Sequence, residues 1–194
     1  MNSNSVEALL NSPISREFTL RDICHCGETW QKIKVLNIPQ QEQSKLDLVC
    51  LATELLDPIS EQFGKPVLTY GFAGYELLTH LKRKKRSRIA PKLDQHSASE
   101  LNSKGELICS RSGAAVDLYQ PSFSSISLAL WISKNLHFDR LYYYGADKPI
   151  HLSYHREPQR QIVFVNRRHD GSVIPRRLSI FQLEQLAMHG IEQC

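Results

Sequence analysis

Apolar residues recur with a helical period over residues 42–62. Leu48, Ala52, Leu55, Leu56, Ile59 and Phe63 fall at i, i+4, i+7, i+8, i+11 and i+15 and draw one face. Gly64 and Pro66 stop that helix, and Pro58 inside it predicts a bend or a split. Further helices are expected at 74–82, at 124–136 with Ile126, Leu130 and Ile132 or Trp131 inward, and at 179–190, closed by Gly190. A short helix within 16–31 is entered at Thr19. Elsewhere the pattern changes to alternation or short apolar runs: "PVLTY" (66–70), "AAVDLY" (114–119), "RLYYY" (140–144), "PIHLSY" (149–154) and "QIVFVN" (161–166) read as strands. Asn37-Ile38-Pro39 and Asn102 to Gly105 mark turns, residues 94–111 read as irregular, and "NRRHDGSVIPRR" (166–177) reads as an exposed basic turn region. Strands and helices mix without a regular βαβ alternation. The expected class is therefore α+β, a small and mostly antiparallel sheet flanked by helices.

The chain has 194 residues, enough for one domain over 1–194 with a proper core. No repeat or low-complexity linker divides it. No apolar run is long enough to cross a membrane, and "MNSNSVEALLNSP" has neither the basic stretch nor the continuous apolar segment of a secretory signal, so the expected compartment is the cytoplasm. Cys24, Cys26, Cys50, Cys109 and Cys194 are odd in number and match no common framework, which predicts reduced thiols, with "CHC" at 24–26 read as structural. The net charge of +4 is local. "KRKKRSRIAPK" (82–92) carries seven positive charges and no acid, so the rest of the chain stands at −3. That balance excludes a uniformly basic nucleic-acid binder and leaves one basic segment on a near-neutral domain.

Two strands carry polar residues where apolar ones are expected. Asp117 sits within "GAAVDLY" (113–119), and a carboxylate moved out of water must neutralise, pair or bind a cation. In "PIHLSY", Pro149, His151 and Ser153 share one face and Ile150, Leu152 and Tyr154 the other, so His151 is expected to look toward a cleft or solvent. A histidine and an aspartate on neighbouring strands are rigid ligands of the kind a zinc site uses. A catalytic zinc takes three protein ligands and keeps a fourth position open. His96, in the polar "DQHSASELN" just upstream of the Asp117 strand, is the candidate third ligand.

At these residues the chain resembles the zinc D-alanyl-D-alanine carboxypeptidase group, peptidase family M15, with its hedgehog/DD-peptidase fold. The resemblance runs from about residue 16 to 155, leaving 156–194 as an extension that completes the fold. It rests on "EFTLRDICHCGETW", on the Asn-x-Pro turn followed by a long helix and the strand after Gly64, on "QH" at 95–96, on "GAAVDLY" and on "FDRLYYYGADKPIHLSY". It implies zinc on His96, Asp117 and His151, in agreement with the reading above. It also implies a carboxylate just before the last histidine as general base, for which Asp147 is the nearest acid.

Three departures accompany the resemblance. The family's His-x-x-Gly-x-Ala-x-Asp spacing has Ser110 in the histidine slot, and His96 lies 21 residues before Asp117, so 97–110 reads as an insertion. The family's Ser-Gly-Tyr-Arg segment stands here as Tyr70-Gly71-Phe72-Ala73, without the arginine that holds the substrate carboxylate; Arg111 or Arg88 is the candidate substitute. The tryptophan beside the last histidine is Ile150. The expected function is a zinc-dependent hydrolase that cleaves an amide in a peptide of the peptidoglycan stem-peptide type, with Arg111 or Tyr154 steadying substrate or oxyanion. The alternative is a non-peptidase of the same fold that keeps a metal and uses the basic loop 82–92 to bind nucleic acid or a partner protein.

Overall fold

The computed structural model describes residues 3–83, 95–167 and 173–191. Helices α1 (Ser3–Leu10), α2 (Leu20–Cys24) and α3 (Glu28–Ile33) precede the long central helix. Thr19 caps α2 as its position predicts: its side chain accepts from the Asp22 N–H while the Asp22 carboxylate accepts from the Thr19 N–H at 2.7 Å, a reciprocal capping box. The central helix comprises α4 (Glu42–Leu51), a π-helical turn (Ala52–Leu56) and α5 (Asp57–Phe63). Pro58 does not end it. The wider turn just before it lets the Asp57 N–H reach back five residues to the Ala52 carbonyl, and the helix runs on past the residue that has no N–H to give. Gly64, at φ +83°, ends it.

The remaining elements are β1 (Val67–Tyr70), α6 (Tyr75–Arg83), a 3₁₀ turn (Gln95–Ser97), β2 (Ala114–Tyr119), α7 (Ser125–Asn135), β3 (Arg140–Tyr143), β4 (Ile150–Tyr154), β5 (Gln161–Arg167), β6 (Val173–Leu178) and α8 (Ile180–Ile191). The architecture is α+β, with helices around one six-stranded sheet in the order β1-β2-β4-β3-β5-β6. Every neighbouring pair is antiparallel except β3 and β5, which run parallel.

One sheet face is the core. Ala114, Val116 and Leu118 of β2, Ile150, Leu152 and Tyr154 of β4, Leu141 of β3 and Ile162 of β5 alternate onto it. They meet Leu48, Ala52, Leu55, Leu56 and Ile59 of the stripe read from the sequence, with its last member Phe63 partly buried against them and Leu51 joining from outside the stripe. Leu55 is fully buried in this layer, so Leu55→Ala should lower the free energy of unfolding by about 3 kcal/mol, measurable as a shift in the urea midpoint.

One expectation needs correcting. Residues 173–178 are not a turn: they form β6 on the edge of the sheet, paired with β5 from Ile162↔Leu178 to Arg167↔Val173. Pro175 hides the strand from a sequence reading, because proline within a run argues against a ladder except at an edge, where it stands here. In α7 the buried seam is Ser125, Leu128, Ala129, Ile132 and Ser133, and the expected Ile126, Leu130 and Trp131 pack against the core beside Ile132, partly buried. Four of the five cysteines are described, all as free thiols. From residue 84 to 94 the basic run, Arg88 included, lies outside the described residues. No helix among the described residues is long and apolar enough to cross a membrane.

Candidate metal centre

The face of the sheet opposite the core carries the site. The register sets Tyr70, Asp117, His151 and Tyr142 side by side on β1, β2, β4 and β3 as successive cross-strand partners. Tyr70 reaches this row through a β-bulge. Leu68 pairs with Leu118, and the extra residue Thr69 advances Tyr70, rather than Thr69, to the position opposite Asp117. Its ring then lies 4.4 Å from that of His96, and the Tyr142 ring lies 4.9 Å from that of His151.

His96 comes from outside the sheet, on the Gln95–Ser97 turn, and completes a triangle. His151 Nδ1 stands 3.0 Å from Asp117 Oδ1 and 3.1 Å from His96 Nε2, and His96 Nε2 stands 3.3 Å from Asp117 Oδ1. Three ligands on a tetrahedral ion at ~2.0–2.1 Å are separated by roughly 3.3–3.4 Å, so the edges match a site that closes on one small cation. His96 Nδ1 lies 2.9 Å from the Gly71 carbonyl oxygen. A carbonyl only accepts, so Nδ1 carries the proton and Nε2 turns a lone pair into the triangle. Without a cation, three acceptor atoms would converge with nothing but protons between them. In that proton-filled state, with His96 Nε2 protonated as well, burial alone would raise the Asp117 carboxyl, but the charge of His96 and the hydrogen bonds from His151 and His96 hold it well below the usual carboxylate range. His96, Asp117 and His151 thus form a largely buried group that could bind a metal ion.

The centre is closed on most sides. The side chains of His96 and His151 are 6% and 10% exposed, that of Asp117 29%, so the open corner lies at Asp117. All five residues of β4 are buried, so of the two expected surroundings for His151, a cleft or solvent, open solvent is not the one it has. The strand is inner, paired on both edges, and the turn bearing His96 covers the face that alternation left polar.

The backbone around the centre is made to fit it. Asn37, in the predicted Asn-Ile-Pro turn, donates from Nδ2 to the carbonyls of Cys24 and Phe72 and accepts from the Gly74 N–H, tying down the segment that carries Gly71. A Cβ on Gly71 would lie 2.1 Å from the Ile23 carbonyl oxygen, so only glycine lets this chain pass there.

None of the other candidates is among the three ligand atoms of the triangle. Asp147 is exposed in the turn between β3 and β4. Tyr154 is on the core face, where its phenol meets the Cys50 thiol, and burial followed by that contact pushes its ionisation up. Arg111 grips Asp139 with both arms of its fork, Nη2 to Oδ1 at 2.7 Å and Nε to Oδ2 at 3.2 Å, and also donates to the Glu157 carbonyl. Ala73, where the resembled family has its arginine, is buried. Sequence reasoning missed Tyr70, Tyr142 and Gly71. Alternation within "RLYYY" was the available signal for Tyr142; a bulge, which brings in Tyr70, leaves none. The "CHC" side chains are not among the ligands of the triangle: His25 stacks on Trp30 at 3.5 Å, and burial, then Arg21, pulls its imidazole down to about 4. Comparison with known proteins found no match to this chain among family models, curated proteins or solved structures.

Proposed function

We propose that the protein is a zinc-dependent hydrolase that cleaves an amide bond in a peptide of the peptidoglycan stem-peptide class. The observation that carries this reading is the triangle of His96 Nε2, Asp117 Oδ1 and His151 Nδ1, with edges of 3.0–3.3 Å and an open corner. Two imidazoles and one carboxylate suit zinc among the common divalent ions. Zinc bound there supplies Lewis acidity and a water acidified toward neutrality. His96, held in one tautomer by Gly71, and Asp117, held ionised between two imidazoles, keep the donor set ready without rearrangement. In this reading Asp147, four residues before His151, takes the proton from the attacking water. Tyr142, beside His151 in the cross-strand row, forms the wall against which substrate rests. Arg111 and Tyr154, engaged by Asp139 and Cys50, are given no part in holding substrate.

Zinc-loaded protein is expected to release an amino acid from short peptides ending in D-residues. Activity should disappear with a chelator, return with zinc, and fall about 10²–10⁴-fold in Asp147→Asn. Zinc-loaded protein that leaves such peptides intact would favour the second reading, a metal-binding non-peptidase that uses 82–92 to hold nucleic acid or a partner protein. The engagement of Arg111 and the buried Ala73, which leave the family's carboxylate-holding role unfilled by either, speak for that alternative. Its mark would be RNA or DNA binding whose affinity falls steeply with salt and is lost when the charges of 82–88 are neutralised.

A further inference from the structure

Asp139 immediately precedes β3, and its side chain has no exposed surface. A buried carboxylate is costly unless saturated with donors, and this one is. Oδ1 accepts from Arg111 Nη2 at 2.7 Å and from the Gln159 N–H at 2.9 Å; Oδ2 accepts from Gln95 Nε2 at 3.0 Å and Arg111 Nε at 3.2 Å. Its backbone is tied to β4, the Asp139 N–H donating to the Ser153 carbonyl at 2.7 Å. Ser153 lies two residues beyond His151 on the same face of β4.

Gln95 is the other half of the device, one residue before His96. Its amide nitrogen donates to Asp139 and to the Ser112 carbonyl at 2.9 Å, and reaches the Tyr154 carbonyl at 3.4 Å. Three acceptors around one NH₂ group fix which way the amide points. The chain makes room for it: Gly113, at φ +83°, has no side chain, and a Cβ there would lie 3.0 Å from Gln95 Nε2 and 2.1 Å from the Tyr154 carbonyl oxygen. The His96 turn is therefore held from two sides, the Ala73 N–H also donating to the His96 carbonyl at 2.8 Å. Gly71 bonds the ring on one side. On the other, Gln95 anchors the backbone to Asp139, which is joined to the strand that carries His151.

We propose that Asp139 and Gln95 are positioning residues of the metal centre, setting the separation between His96 and His151 through the Gln95–Asp139 hydrogen bond. This rests on the reading of the triangle as a cation site, and it assigns these residues a task distinct from their share in general stability. Partners of this kind, one step removed from a ligand, typically change metal affinity 10–100-fold when lost.

The test compares zinc affinity, measured by competition with a chromophoric chelator, and the visible d–d absorption of the cobalt(II)-loaded protein. Gln95→Met cuts the link and leaves the Asp139–Arg111 pair in place; Asp139→Asn breaks the carboxylate's donor set; Leu55→Ala is destabilised at a distance. Expected for Gln95→Met and Asp139→Asn is zinc binding weakened about 10–100-fold with an altered cobalt band, while Leu55→Ala keeps wild-type affinity and band despite its lower stability. If Asp139→Asn does not fold, Gln95→Met decides alone. Wild-type zinc affinity and cobalt band in a folded Gln95→Met would overturn the proposal while leaving the cation site standing. A wild-type protein that binds neither ion overturns both.

Discussion

If zinc occupies the triangle as proposed, replacing His151 with alanine is expected to abolish the stabilisation that the ion would confer. A ligand bound by the folded chain alone stabilises it by RT ln(1 + [L]/Kd), about 4 kcal/mol at a thousandfold excess over Kd. For a chain of this length that corresponds to a rise in Tm on the order of 8–16 °C. His151 supplies one of three ligands, and the other two cannot replace it: His96 Nε2 and Asp117 Oδ1 would remain as a two-ligand set with an open side where β4 had closed it. The variant should melt at the same temperature with and without zinc, and Asp117→Ala should behave alike. An undiminished zinc increment in either variant would mean that the ion sits elsewhere.

The second large effect concerns Arg111. Arg111→Leu leaves the Asp139 carboxylate buried with its main counter-charge gone, and breaking a buried pair from one side costs about 3–5 kcal/mol, which urea unfolding at neutral pH would register. The same pair sets an acid limb. Burial pushes the Asp139 carboxyl up, but the Arg111 fork, the Gln159 N–H and the Gln95 amide together bring it below its ordinary value. A carboxyl lowered by folding contributes its stability in full above the unfolded pKa of ~3.9 and loses it as pH falls through the lower folded value. With Arg111 gone, burial is opposed by the two remaining donors and by the Arg140 guanidinium, whose Nε lies 3.9 Å from Oδ2. The carboxyl takes up a proton nearer neutrality, and the acid limb of the stability curve moves to higher pH. An unchanged urea midpoint together with an unchanged acid limb would show that the pair contributes nothing net.

Much of this arrangement was legible in the chain. The stripe from Leu48 to Ile59 and the alternation of β2 and β4 follow from periodicity alone, because burial on one face leaves a period in the sequence. The convergence of His96, Asp117 and His151 was legible for a different reason: each is a polar residue with no local partner to explain it, in or beside an apolar strand. What stayed hidden depends on contacts between distant segments. Arg111 and Asp139 are each ordinary in sequence, and only the packing of the 95–113 segment against the start of β3 makes them a pair. Tyr154 alternates away from His151, so the strand pattern that found the ligand also assigned Tyr154 to the core. Tyr70 depends on one extra residue in β1, and β6 pairs despite a proline; neither a bulge nor an edge position has a composition of its own.

The opposition of Asp117 and His151 across β2 and β4 bears on the order in which the molecule is assembled. The two residues are 34 positions apart, and His96 precedes His151 by 55. Contacts of such separation form only after the intervening chain has been made and its loops closed. Until β4 has been synthesised and laid against β2 there is no third ligand, and an ion can be offered no more than a pair. Capture of a metal at this group would therefore follow the making of β4: it would reward an assembled sheet rather than nucleate one, and a nascent chain arrested before β4 would leave the ion in solution.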